Sequence, residues 1–326
     1  MAFANANISD ILATTIENRS RKLADNVTNN NALLKRLGER GKIKTFSGGH
    51  KIMQELNFAE NINAGWYSGY DILPVGVSDV ISASEFSIKQ AAVPVVISGL
   101  EQLQNSGKEQ FIDLMEGRLQ VAESTMSNLI TGGLYSDGTA AGGKQIDGLQ
   151  AALPIDPTAA PYGGIDGSAF AFWTNAVVDS ADTTTFQEDW NNLWSQLVRG
   201  QDRPDLIMCD SVAWKAYLGS LQSNQRFTNT QSADAGFSNL KFMDADVVLD
   251  GGIYNGSLGS GAPVGTSFFL NTDYIHYRPH ANCNMVSLSP RKRYATNQDA
   301  EVQIIGWAGN LTCSGRMFQG RHDVNI

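Results

Sequence analysis

Cysteine is scarce in this 326-residue sequence: Cys209, Cys283 and Cys313 stand far apart, and no C-x-x-C pair occurs. That excludes the common zinc and dithiol redox motifs, and an odd set of three argues against a disulfide framework. A reducing compartment fits better. Proline is also scarce, at 9 residues, which argues against a proline-rich linker protein. Charged residues make up only 17% of the chain, against 42% hydrophobic. Intrinsic disorder needs the opposite balance. No run of about 18 apolar residues is present, so no transmembrane helix is indicated. The N-terminus lacks a basic stretch followed by an unbroken apolar run and is no secretory signal.

Positive charge is in deficit overall, with a net charge of -9. This is the wrong sign for a protein that coats DNA. The deficit is uneven. Residues 1–51 hold nine Lys/Arg against four Asp/Glu, whereas residues 150–285 hold six against fourteen. Glycine is abundant, at 32 residues, and predicts many turns.

Periodicity divides the chain. Residues 8–40 read as a helix, a break at Thr28–Asn31, and a short helix carrying Leu33, Leu34 and Leu37, with Gly38 as its stop. Residues 42–98 read as two long strands joined by a turn-rich apex around Trp66, Tyr67 and Tyr70. Neither part has enough apolar residues for a core of its own. Residues 99–133 give a long helix, with the capping box Ser106-Gly107-Lys108-Glu109. Its apolar stripe is Phe111, Met115, Leu119, Ala122, Met126 and Leu129, and Gly132-Gly133 closes it. Residues 134–170 form a glycine-rich connection and 171–285 a mixed α/β region. Residues 286–326 return to strand-like alternation.

Motifs for chemistry are weak. Gly138 to Lys144 matches most of a phosphate-binding loop, but Gln145 stands where Ser/Thr belongs and a helix precedes it. A flexible connector is the better reading. His276 and His280, with Asp273 nearby, have metal-ligand spacing only on a helix. Here Pro279 and the strand-like context separate them by about 13 Å. Glycines 259, 261 and 265 lack dinucleotide spacing, and no G-x-S-x-G or H-E-x-x-H occurs. No catalytic residue, cofactor or metal is expected, and no enzyme. The basic band Arg19, Arg21, Lys22, Lys35, Arg36, Arg40, Lys42 and Lys44 is either a solvated face or a contact with an acidic neighbour or polyanion. Trp66, Tyr67 and Tyr70 mark either a contact surface or a tip folded back on its own chain.

The order of parts resembles the major capsid protein of tailed double-stranded-DNA bacteriophages, the Hong-Kong-97-type fold. Residues 7–49 resemble its N-arm, ISGLEQLQNSGKEQFIDLMEGRLQVAESTMSNLITGGLYSDGT its spine helix and exit, and GGKQIDGLQAAL the step to its axial domain. The resemblance covers essentially the whole chain. It implies an α+β fold with an N-arm at 1–45 and an extended β-hairpin E-loop at 46–96. The peripheral domain would take 97–150 plus 286–326, and the axial α/β domain 151–285. The implied function is a head protein assembling into pentamers and hexamers of an icosahedral shell around double-stranded DNA. Arg19, Arg21, Lys22, Lys35, Arg36, Arg40, Trp66, Tyr67 and Tyr70 are then expected intersubunit contacts.

Implied partners are further copies of the chain, a portal protein, optionally a decoration protein, and packaged DNA held weakly and without sequence preference on the inner face. No membrane is involved. Assembly is expected in the host bacterial cytoplasm and the final location is the virion. The chain begins almost directly with the arm, so a separate scaffolding protein is expected. Lys51 and Lys89 are the hairpin lysines and neither sits at the apex, so no covalent crosslinking is expected. A ladder of multimers on a denaturing gel would contradict that. The alternatives are a cellular encapsulating shell of the same fold, an α/β enzyme on residues 151–285, and a tail-tube protein, against which the long helix argues.

Overall fold

The computed structural model describes residues 31–100, 108–222, 240–250, 261–288, 293–294 and 300–324. The helix expected before residue 31 and the capping residues Ser106 and Gly107 lie outside the described residues. In chain order the principal elements are α1 (Ala32–Glu39), β1 (Lys51–Asn57), β2 (Ile81–Ser87), β3 (Lys89–Ser98), α2 (Lys108–Leu134), β4 (Ala176–Ser180), α3 (Phe186–Leu197), β5 (Leu206–Cys209) and α4 (Ser211–Gln222). Then come β6 (Leu240–Phe242), β7 (Ala245–Leu249), β8 (Thr266–Leu270), β9 (Ile275–Pro279), β10 (Val286–Ser287), β11 (Arg293–Tyr294), β12 (Ala300–Cys313) and β13 (Gly320–Val324). No helix among the described residues is long and apolar enough to cross a membrane.

Local chemistry explains the helix ends. The Asn31 side chain accepts from Leu34 N at 3.1 Å and caps α1. Leu33, Leu34 and Leu37 are all buried. The helix passes Gly38 and stops at Glu39, because Gly41 rather than Gly38 takes the positive φ, at 65°. Helix α2 spans 27 residues, a rod of about 40 Å. Its buried stripe includes Leu119, Ala122, Met126, Ile130 and Leu134. Leu129, expected in that stripe, is half exposed, since a step of four from Met126 reaches the core and a step of three does not. Nor do Gly132 and Gly133 end the helix, which runs to Leu134. Gly148 then crosses that helix end so closely that a Cβ would lie 2.4 Å from Gly133 O.

Strands β1 and β2 form the antiparallel hairpin, in register from Lys51↔Ser87 to Asn57↔Ile81. The expected long return strand is split at Ile88. Beyond it β3 leaves β1 and pairs with β12, from Lys89↔Gly309 to Ser98↔Ala300. On its other side β12 pairs in turn with β9, β10 and β11. Pro94, which has no N–H to donate, sits on β3, an edge strand of this sheet.

The other sheet has six strands in the order β4-β13-β8-β5-β7-β6. Its central strands are buried on both faces, which is why LIMC reads as an unbroken apolar run. Ile207, Val247 and Phe269 face a core built with α3 and α4. Leu206, Met208, Val248, Phe268 and Leu270 face the core shared with α2 and β12. In the first core Trp190 is ringed by Phe186, Tyr217, Phe242 and Phe269 at centroid distances of 4.8 to 5.2 Å.

Two strands cross the divisions expected from the sequence. β9, within 151–285, pairs with β12, and β13, within 286–326, enters the six-stranded sheet beside β4 and β8. Buried arginines tie the two regions where they meet. Arg316 Nε donates to Ala152 O at 2.8 Å and Arg321 Nη1 to Leu153 O at 3.2 Å.

Candidate intersubunit surface

The hairpin apex reverses the usual burial pattern. Between β1 and β2 the chain forms no strand. Ile62, Trp66, Tyr67, Tyr70, Ile72, Leu73, Val75 and Val77 are all more than half exposed there, and Trp66 and Tyr70 fully so. The tip is therefore not folded back on its own chain. Its shape is held by polar contacts: Asn63 Nδ2 donates to Gly76 O at 2.7 Å and Ser68 N to Asp71 Oδ2 at 2.9 Å. Covering each large side chain would contribute about 1.5–3 kcal/mol. The three aromatics were legible as turn residues. The five aliphatics were not singled out, although their clustering without a helical or strand period was the available signal.

A second apolar surface lies along the spine. Val93, Pro94, Val96, Val121 and Thr125 line a groove of about 700 Å³ between β3 and α2. Val121 and Leu129 leave an apolar face of α2 exposed beside it.

The basic band is placed differently. Arg36 pairs with Asp205 at 3.1 Å and Asp246 at 3.0 Å, and Arg40 with Asp205 at 3.2 Å and Asp273 at 3.0 Å. Both arginines thus fasten α1 to the α/β half of the same chain. Lys35 is half-buried. Arg19, Arg21 and Lys22 lie outside the described residues.

The phosphate-loop look-alike is an irregular turn. Gly138, Ala141, Gly142 and Gly143 all have positive φ. Lys89 Nζ holds the turn through Gly143 O at 2.7 Å and Asp147 at 3.2 Å. His276 lies on β9, while His280 packs edge-on against Phe46 at 4.9 Å. Among the described residues no group of three His, Cys, Asp or Glu could hold a metal ion.

One constellation looks catalytic and is not arranged for it. Ser180 Oγ lies 3.1 Å from His322 Nε2, a pairing across 142 residues that the sequence did not suggest. Trp190 Nε1 donates to His322 Nδ1 at 3.3 Å, so Nε2 carries the proton. Ser180 Oγ in turn donates to Asp189 Oδ2 at 2.7 Å. A serine nucleophile would need a bare nitrogen there, and both side chains are buried.

Burial holds the His322 pKa below its usual value despite Asp189, Asp323 and Asp179 nearby. The unfolded chain therefore binds this proton first, and stability falls as pH drops below about 6.5. His276 acts in the same direction, pushed down to about 4 by burial and then by Lys44, Lys42 and Arg278. Melting of the unassembled subunit against pH should show this fall, and His322→Gln should make it shallower. An unchanged slope in the variant would remove His322 as a cause.

No protein-family model matches the chain, and no curated protein sequence does. Solved structures do. A subunit of the cyanophage A-1(L) capsid is 14% identical, with a TM-score of 0.65, covering 88% of this chain and 91% of that one. The SrpI encapsulin of Synechococcus elongatus PCC 7942 is 10% identical, with a TM-score of 0.56 and coverages of 88% and 86%. A capsid subunit of a native GTA particle is 9% identical, with a TM-score of 0.55 and coverages of 88% and 89%. The chain shares their α+β fold.

Proposed function

We propose that this chain, sharing as it does the fold of phage capsid and encapsulin subunits, is a structural shell protein: the major capsid protein of a tailed bacteriophage. The observation that carries the reading is the match to the cyanophage capsid subunit across 88% of the chain. The hairpin apex supports it. Eight large apolar side chains stand in solvent within residues 62–77, more than an isolated subunit needs. In this reading Trp66, Tyr67 and Tyr70 contact a neighbouring copy, and a shell multiplies many such weak contacts.

In this reading the chain divides into four parts. Residues 1–45 are the arm and 46–96 the loop, whose strand β3 is anchored on β12; the peripheral domain is built on α2 and β12 and takes in β9. The axial domain is built on the six-stranded sheet and takes in β13. Partners are further copies, a separate scaffolding protein, a portal, and DNA on the inner face. Assembly occurs in a bacterial cytoplasm and ends in the virion. Similarity to the SrpI encapsulin supports a second reading, a cellular shell around protein cargo.

Electron microscopy of the purified chain, with size-exclusion chromatography, tests both. Icosahedral shells, sheets or tubes are expected. Nucleic acid inside native particles favours the phage reading and protein cargo the cellular one. A subunit that stays monomeric at high concentration with candidate scaffolds present would overturn the proposal.

A further inference from the structure

The segment joining α1 to β1 brings more positive charge to β9 than nearby carboxylates neutralise. Lys44 N donates to Tyr277 O at 3.0 Å, and Tyr277 N donates to Lys42 O at 3.2 Å. Ile43 and Tyr277 thereby form a parallel bridge. Side chains alternate along extended chain. Ile43 and Tyr277 face the core, so Lys42, Lys44, His276 and Arg278 share the opposite side.

The charges there do not balance. Lys42 is paired with Asp273 at 3.3 Å, and Asp273 also holds Arg40. Lys44 and Arg278 have no carboxylate partner among the described residues. Arg278 Nη1 reaches only the neutral Gln54 Oε1, at 3.3 Å. That oxygen is also engaged by Thr312 Oγ1 at 3.3 Å. Arg278 Nε is buried with no partner, and so is Nδ1 of His276, a residue only 5% exposed. An unmet buried donor and an unpartnered ring nitrogen beside uncompensated cations are costly. What the site lacks is an acceptor with negative charge.

We propose that Lys44, Arg278 and His276 form a binding site for an oxyanion of the phosphate class. Lys44 supplies a mobile ammonium, Arg278 a planar donor fork, and His276 a further ring nitrogen. A phosphate group offers several oxygens to such a set. The ligand is either free inorganic phosphate or a phosphodiester of nucleic acid. The site does not depend on the shell reading, and its test does not require assembly.

The full chain is melted near neutral pH in millimolar sodium phosphate and in sodium chloride of equal ionic strength. Phosphate should raise the melting temperature saturably. Lys44→Gln and Arg278→Gln should each raise the half-saturating concentration roughly tenfold or more. Lys44 is exposed, so its variant keeps the test usable if Arg278→Gln fails to fold. A duplex oligonucleotide without terminal phosphates, followed by fluorescence anisotropy, separates the sources. Binding that Lys44→Gln weakens and inorganic phosphate displaces assigns the phosphodiester. No oligonucleotide binding, with the phosphate effect intact, assigns the free ion. General stabilisation by phosphate is unsaturable and indifferent to these residues. Wild type and Lys44→Gln responding alike would therefore overturn the site.

Discussion

Replacing Trp66, Tyr70 and Ile72 together by serine should abolish assembly while leaving subunit stability within roughly 0.5 kcal/mol. All three side chains are exposed in the isolated chain, so their removal opens no cavity. Each contributes only when another copy covers it, at about 1.5–3 kcal/mol. Losing three should weaken association roughly a thousandfold or more. Electron microscopy reads the assembly and calorimetry of the unassembled subunit reads the stability. Normal shells from the triple variant would remove the apex from the intersubunit surface. A large drop in subunit melting temperature would mean that the apex packs on its own chain after all.

Asp205→Ala should destabilise the subunit itself by about 2–3 kcal/mol. Asp205 takes Arg36 at 3.1 Å and Arg40 at 3.2 Å, and accepts from Thr272 N at 2.7 Å and Thr272 Oγ1 at 2.8 Å. Its removal leaves the two Thr272 donors without this acceptor and takes one carboxylate each from Arg36 and Arg40, which keep Asp246 and Asp273. Asp205→Asn keeps acceptors for Thr272 and loses only the charge, so it should cost less. Denaturant unfolding compares the two variants. A loss below about 1 kcal/mol for the alanine variant would mean that α1 is held by Leu33, Leu34 and Leu37 alone.

Local signals in the sequence were legible and long-range ones were not. The break at Thr28–Asn31 and the spacing of Leu119, Ala122 and Met126 located α1 and α2 because each signal acts within about one turn. The same spacing could not choose between Leu129 and Ile130, since both follow Met126 at helical intervals. The partner of β3 was hidden because β12 lies some 200 residues further on. That distance also explains the split hairpin: no local residue announces that Lys89 leaves β1. The basic band shows the same limit. Arg36 and Arg40 looked free for other copies because their carboxylates are 169 to 233 residues away. At the apex, the aromatics were readable as turn residues, but their exposure was not, and the neighbouring aliphatics resembled ordinary strand residues.

The single residue Ile88 between β2 and β3 has a mechanical consequence. A pull transmitted along the chain from the hairpin enters β3 at Lys89 and meets the ladder that runs to Ser98↔Ala300. Antiparallel hydrogen bonds lie across the strands, so tension along β3 loads the rungs together in shear. A force applied sideways would instead open them one at a time. The anchorage therefore resists most strongly when the loop is drawn outward along its own length.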